Sequence, residues 1–341
     1  MAFVDMGIAG FGLSFGRNES VAATVGDYVS DPERVLKLGC HTYHRADEDV
    51  HATDLAAAAA EEVLAELSVT PDQIDLVVLA MSEMPEYQHY DSAAALARML
   101  KIERTQTLLL NEGCGSGLTG LYYVASSMAM QPEIQTALFV AVNRVGEFHR
   151  NRMNVNNSVH SDGAVATLVQ RGHGSYKWLA TEQFTDPKYC DMFRTDFGGT
   201  RFPLPPEGGS GLNTPSGYEK VHEHFGRDPK RLRKFLDERI DRIHEVIDRA
   251  CKRAGLTRDD IDHVLYINDS APGIAAIADP LGIPAERTNA AISPFHGHMG
   301  AADQLVSLAL KKRQDELKPG EIVALCGMST GMHWCATLIQ V

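Results

Sequence analysis

The sequence predicts an α/β fold built from two copies of one unit, and three observations carry that expectation. Thr70–Leu79 recurs 187 positions later as Thr257–Tyr266, each copy following an amphipathic helical pattern, over 55–67 and 232–254. The same offset carries Thr136–Val140 onto Val323–Gly327, and an offset of 170 carries Ala166–Gln170 onto Ala336–Gln340; ordered blocks of this kind are the mark of an internal repeat. The apolar runs alternate little between apolar and polar residues, as expected of strands covered by helices on both faces of a mixed sheet. The chain thus divides into halves 1–171 and 172–341, each reading strand, helix, strand, helix, strand, strand. Two such sheets are expected to stack with their central helices between them.

In the first half the strands fall at 74–81, 107–112, 136–142 and 164–170. The run Leu108–Leu110 stops at Asn111-Glu112-Gly113-Cys114-Gly115-Ser116-Gly117, and a long apolar helical pattern follows through Met130. Cys114 therefore stands where a strand becomes a helix. There it faces the unpaired N–H groups and positive dipole end of that helix, a setting that favours an anionic sulfur and suits a nucleophile. The change of offset places an insertion of about seventeen residues between Val145 and Asp162. The Gly- and Pro-rich stretch 197–217 is too long for a plain connector, and loops of that length carry binding work. Segments 147–160 and 190–217 are read as a cap that shapes a pocket.

At 341 residues the chain has room for about two units of ordinary domain size, at about 150 residues each. Its 32 Lys and Arg against 45 Asp and Glu give a net charge of -13, which argues against nucleic acid or an anionic membrane surface as partner. The N-terminus carries no basic segment followed by an apolar stretch, and no run of about 18 apolar residues occurs, so the chain reads as cytoplasmic. Six cysteines, at 40, 114, 190, 251, 326 and 335, form no CxxC pair, against both a disulfide framework and a zinc knuckle. Cys40, Cys190, Cys251, Cys326 and Cys335 are read as core fillers.

The duplicated halves and helix-start Cys114, with His160-Ser161-Asp162-Gly163-Ala164 and Gly327-Met328-Ser329-Thr330-Gly331-Met332-His333-Trp334, resemble the ketoacyl-ACP synthase III family of the thiolase fold, essentially end to end. That resemblance implies a layered αβαβα sandwich, a homodimer, and a Cys that accepts an acyl group as a thioester. In that family a neutral His and a neutral Asn stabilise the enolate formed when a malonyl thioester loses carbon dioxide. Here the matching positions hold Asp269, in Tyr266–Pro272, and His298, in Pro294–Ala302. A carboxylate ~4 Å from the developing enolate opposes it by about 4 kcal/mol at an effective dielectric near 20, roughly a thousandfold in rate. The exchange instead suits acyl transfer, with Cys114 as nucleophile, His298 as general base and Asp269 fixing its tautomer.

The resemblance further implies an oxyanion hole from the backbone N–H groups of Cys114 and Gly331. It points to a Cys-His-Asp acyltransferase branch of natural-product biosynthesis, with acyl-CoA or acyl carrier protein as donor, a small-molecule or carrier-bound acceptor, and neither metal nor organic cofactor. Two residues compete for the assigned roles. His296 is the other histidine of the pair, and Asp303, five residues after His298, stands early in a helix where a carboxylate is also welcome for dipole reasons. His296, His298 and Asp303 also have a metal-ligand look, but no third ligand class is evident and a metal would quench the thiolate. The basic cluster Arg227, Lys230, Arg231, Arg233 and Lys234 is read either as a carrier-docking surface or as a solvated helix face. Competing functions are a decarboxylative synthase and a catalytically silent partner subunit.

Overall fold

The computed structural model describes residues 4–341. In chain order the strands are β1 (Met6–Phe15), β2 (Arg17–Ser20), β3 (Thr42–Arg45), β4 (Leu76–Met81), β5 (Gln106–Leu110), β6 (Thr136–Asn143), β7 (Gly163–Arg171), β8 (Lys177–Thr185), β9 (His263–Leu265), β10 (Ile322–Ser329) and β11 (His333–Gln340). The helices are α1 (Val21–Tyr28), α2 (Pro32–Leu36), α3 (Ala52–Glu66), α4 (Ser92–Met99), α5 (Ser116–Met130), α6 (Gly217–His224), α7 (Pro229–Ala254), α8 (Ala271–Ala278), α9 (Ser293–His296) and α10 (Asp303–Arg313).

The strand order is β5-β4-β6-β7-β1-β8-β11-β10-β9. Read from its middle outward, each side repeats the other: β1 answers β8, β7 answers β11, β6 answers β10 and β4 answers β9. The last three are the pairs the two sequence offsets align. The place that β5 holds in the first half is taken in the second by a single parallel bridge, Val264 to Thr288. The two halves are not fully separate sheets as expected. They join edge to edge at one register pair, Gly7 with Lys177, supported by the Ile8 N–H donating to the Tyr176 carbonyl at 3.2 Å.

Packing follows burial. β4, β6 and most of β7 are buried throughout, so their sequences are near-continuous apolar runs. One core joins α5 and α10, through Leu118, Leu121, Leu305 and Leu308, to the inner faces of both half-sheets. A second lies under α3 and α4, and a third under α7 and α8. The result is the layered αβαβα order of the thiolase fold. α7 begins at an Asp228 cap with Pro229 in its first turn and ends at Gly255 in a left-handed conformation (φ 74°), which its sequence signals directly.

Sequence periodicity gave no warning of β1, which pairs with β7, nor of the β2–β3 hairpin and α1–α2, which build a small separate core around Val21, Val35, Tyr43 and Met153. Cys190 is a correction: it is exposed just past a short turn at Pro187–Tyr189, whereas Cys40, Cys251, Cys326 and Cys335 are buried. Burial pushes Cys40 and Cys251 up to about 11 and Cys335 up to about 12. Among the described residues no helix is long and apolar enough to cross a membrane.

Candidate active site

Cys114 sits between β5 and α5, in a loop shaped by its glycines. Gly113 is left-handed (φ 59°), which reverses the chain and lets its carbonyl accept from the Ser116 hydroxyl at 2.6 Å. Gly117 matters more, because a Cβ there would stand 1.9 Å from the Ala301 carbonyl oxygen. Its absence lets the backbone ahead of α10 pack on the first turn of α5. That contact places residues from the two halves of the chain around one sulfur.

His298 is held by strand-like pairing to the end of the first cap segment, through a bridge to His160. Its N–H donates to the Val159 carbonyl at 2.7 Å, and its carbonyl accepts from the Ser161 N–H at 2.9 Å. Gly297 before it is left-handed (φ 64°), and a Cβ there would meet the Val159 carbonyl at 2.7 Å. The imidazole then lies with Nε2 3.1 Å from Cys114 Sγ and Nδ1 2.5 Å from Asp303 Oδ2. Asp303 is fully buried at the start of α10, the favourable end of a helix for an anion. Its Oδ1 accepts from the Met299 N–H at 2.6 Å and its Oδ2 from the Asn268 N–H at 2.7 Å. Asn268 in turn donates through Nδ2 to the Gly297 carbonyl at 2.7 Å, locking both ends of the histidine loop.

The carboxylate beside His298 is thus Asp303, and the assignment of that place to Asp269 is corrected. Asp269 lines the same cavity but turns to its own helix start, where Oδ1 accepts from the Ser270 N–H at 2.6 Å and hydroxyl at 3.0 Å. The physical reason lies one residue earlier. The Asn268 N–H already takes Asp303 Oδ2, so the frame around His298 is closed before Asp269 is reached. His296 faces away from the sulfur: its Nδ1 meets His44 Nε2 at 3.0 Å, and Phe15 packs against both rings. Because His296 and His298 turn to different partners, the two histidines and Asp303 do not converge as metal ligands would.

Electrostatics separate the histidines. Burial works against a charge on His298, but the Asp303 carboxylate and the Cys114 sulfur outweigh it and hold His298 well above the usual imidazole range. His296 goes the other way, pushed down to about 4 by burial and by His44. His160, whose ring centre is 5.3 Å from that of His298, is held well below the usual range by burial and by the Arg150, His298 and Arg152 cations. It stays neutral. Sequence reading gave His160 no role, although its place in the His160–Ala164 motif was a usable signal.

The turn that carries Gly331, between β10 and β11, is tied to the Cys114 loop by the Ser329 hydroxyl, which donates to the Glu112 carbonyl at 2.7 Å. Ser329 and Thr330 line a cavity of about 580 Å³ that opens onto Cys114 and His298. The cap segments read from sequence supply much of its wall, including Arg150, Asn154, Asn157 and Thr214. Arg150 is anchored by Glu83, 3.3 Å from its Nε, and burial pushes the Glu83 carboxyl up. The basic cluster at the start of α7 is partly neutralised by its own helix, through Arg233–Asp237 at 3.0 Å and Lys234–Glu238 at 3.6 Å.

Comparison with known proteins matches residues 39–171 to the thiolase N-terminal domain and residues 251–341 to the C-terminal domain of 3-oxoacyl-[acyl-carrier-protein] synthase III. Among curated relatives, the β-ketoacyl-[acyl-carrier-protein] synthase III of Microcystis aeruginosa is 25% identical over 306 residues, covering 90% of this chain and 88% of its own. The acetoacetyl CoA synthase NphT7 of a Streptomyces species is 24% identical, covering 95% of this chain and 93% of its own. Among solved structures, the acyltransferase ChlB3 superposes with a TM-score of 0.85 at 23% identity, covering 99% of this chain and 98% of its own. OleA of Xanthomonas campestris gives 0.78 at 17%, covering 100% and 99%.

Proposed function

We propose, for a chain that belongs to the ketoacyl-ACP synthase III family of thiolase-fold proteins, that it moves an acyl group from a CoA or carrier-protein thioester through Cys114 to a hydroxyl, amine or thiol acceptor. The observation that carries this reading is the unbroken line of Cys114 Sγ, His298 and Asp303 at 3.1 and 2.5 Å, with an imidazole where the family resemblance implies an amide for decarboxylation.

In the first step the sulfur, its proton held on His298 Nε2, attacks the donor carbonyl. The tetrahedral intermediate collapses by breaking the donor carbon–sulfur bond, and the departing thiolate takes the proton from His298. In the second step the neutral imidazole takes a proton from the acceptor as its oxygen, nitrogen or sulfur attacks the acyl-enzyme. Collapse then releases the ester, amide or thioester and restores the Cys114 thiolate beside the imidazolium. Asp303 keeps the Nδ1–H tautomer and supports the imidazolium. The backbone N–H groups of Cys114 and Gly331 are proposed to hold the oxyanion, with Ser329 fixing their loops together. The proposed catalytic set is therefore Cys114, His298 and Asp303, working with neither metal nor organic cofactor, in the homodimer that the family resemblance implies.

Incubation with a panel of acyl-CoA and acyl-carrier thioesters, followed by intact-mass measurement, tests this. The native chain is expected to gain one acyl mass that Cys114→Ala does not. The names of the relatives favour a second reading, carbon–carbon bond formation by decarboxylation. Stoichiometric carbon dioxide release from a malonyl thioester would establish that reading and displace transfer.

A further inference from the structure

His160 stands beside the reacting pair, and the steps proposed above leave it idle. The parallel bridge between His160 and His298 sets their side chains on one face. The two ring centres are 5.3 Å apart, and both imidazoles line the cavity that holds Cys114. The backbone that carries His160 is clamped: its N–H donates to the Arg152 carbonyl at 2.8 Å, and its carbonyl accepts from Arg152 Nη1 at 3.1 Å. Arg152 is 1% exposed and is itself held by Asp162 at 3.2 Å and Glu147 at 2.6 Å. The ring on this rigid mount is free, since among the described residues no hydrogen bond engages either of its nitrogens. Burial, with the Arg150, His298 and Arg152 cations, keeps it uncharged, so it presents one donor and one acceptor to the cavity.

The two half-reactions differ in the atom that stands beside these imidazoles. In the first it is the donor sulfur, arriving in a thioester and leaving as a thiol. In the second, when the acceptor is a hydroxyl or an amine, it is oxygen or nitrogen. Sulfur makes only weak hydrogen bonds, whereas oxygen and nitrogen make ordinary ones. As the acceptor attacks, its bond to the acyl carbon forms, its proton passes to His298 Nε2, and the Cys114 carbon–sulfur bond breaks to the thiolate. That uses one hydrogen and one lone pair of the attacking atom. A hydroxyl keeps a second lone pair, which accepts from the His160 N–H; an amine keeps a second hydrogen, which it donates to the bare His160 nitrogen. Either bond fixes the direction in which the attacking lone pair points. We propose that His160 is a catalytic residue of the second step, holding an attacking oxygen or nitrogen through the hydrogen-bonding position that His298 leaves open. This rests on the acyl-transfer reading and narrows its acceptor to a hydroxyl or amine, in preference to a thiol.

Cys114 of the full chain is loaded with p-nitrophenyl acetate, an activated ester that needs no site for CoA or a carrier, and loss of the acetyl mass is followed. The acceptors are n-propanol, n-propylamine and n-propanethiol, matched in size, with each rate corrected for the reaction of S-acetyl-N-acetylcysteamine with the same acceptor in solution. His160→Phe keeps an aromatic ring but neither donor nor acceptor. In it, discharge to the alcohol and to the amine should fall about tenfold, the worth of one ordinary hydrogen bond, while discharge to the thiol stays within about twofold of native. His160→Gln restores a donor and an acceptor and should recover part of the loss. The ratio of alcohol or amine discharge to thiol discharge is taken within one protein, so a variant of lowered stability still reports, and His160→Ala serves if the phenylalanine variant does not fold. A fall shared by all three acceptors would make His160 a structural residue, no fall for alcohol or amine would leave it idle, and a glutamine variant no faster than the phenylalanine one would show that no hydrogen bond is at work; each overturns the proposal. If no CoA or carrier thioester loads Cys114, the acyl-transfer reading fails instead, and the chemically acetylated chain still decides the role of His160.

Discussion

Replacing Asp303 by Asn keeps the size of the side chain and removes its charge, which isolates what the carboxylate does. The native group accepts three hydrogen bonds, from the Met299 N–H at 2.6 Å, the Asn268 N–H at 2.7 Å and His298 Nδ1 at 2.5 Å. An amide has one accepting oxygen, so Asp303→Asn must turn its NH2 toward one side. Facing His298, it donates to Nδ1, drives the proton to Nε2 and leaves no base beside Cys114, while also opposing the Asn268 N–H. Facing Met299, it opposes that N–H instead. Either way one buried donor loses its partner, costing about 1–3 kcal/mol of stability. The imidazolium also loses an anion about 4 Å from its charge centre, about 4 kcal/mol at an effective dielectric of 20 and roughly a thousandfold in rate. The assay is rapid-quench acylation by a thioester that loads the native chain, with intact mass as readout. Acylation in Asp303→Asn within tenfold of native, in a protein that still folds, would refute the role given to this carboxylate.

Three further outcomes are expected. The raised value of His298 means that its charged form stabilises the folded state below the ordinary imidazole range, and that this contribution is lost as pH rises through the raised value; in Asp303→Asn this alkaline loss of stability should be smaller and complete at lower pH, and coincident melting profiles of the two proteins would count against the ion pair. His296, His44 and His160 are all held low, so unfolding takes up protons below about pH 6.5 and stability should fall as pH drops from there through about 4; His296→Gln should lessen that fall in thermal melts, and an unchanged acid limb would show the pair is not its source. Gly117→Ala puts a Cβ 1.9 Å from the Ala301 oxygen, so the α10 approach must move away from α5; acylation of Cys114 is expected to fall about a hundredfold, as misplacement of roughly 1 Å can cost, and near-native acylation would mean the contact does not set the site.

Most of the fold was legible because duplication writes the same physics twice. The 187-residue offset aligns β4 with β9 and β6 with β10, and in both halves a helix ends just before a Thr-led turn and an apolar strand. Caps and breakers such as Asp228, Pro229 and Gly255 mark helix ends through local chemistry alone. What stayed hidden has no local signature. β1 reads as a Gly-interrupted apolar stretch and becomes a strand only by pairing with β7, more than a hundred residues away. The edge-to-edge joining of the half-sheets through Gly7 and Lys177 likewise depends on tertiary closeness.

At the site, the sequence showed the sulfur and the base but misplaced the acid, and the reason is instructive. Cys114 announces itself through its neighbours: small residues, a strand before and a helix after. The sequence favoured Asp269 over its rival Asp303 because Asp269 fell at a position the family resemblance marks as catalytic, yet both stand at helix starts and nothing along the chain reports which way a side chain turns. The choice was decided by a backbone N–H, that of Asn268, which points at Asp303 and carries Asp269 past the base into the cavity wall. Two carboxylates with opposite surroundings then acquire different work. Asp303, fully buried and taking three hydrogen bonds, is committed to the imidazole; Asp269, seated over Gly273, accepts from Ser270 at its own helix start.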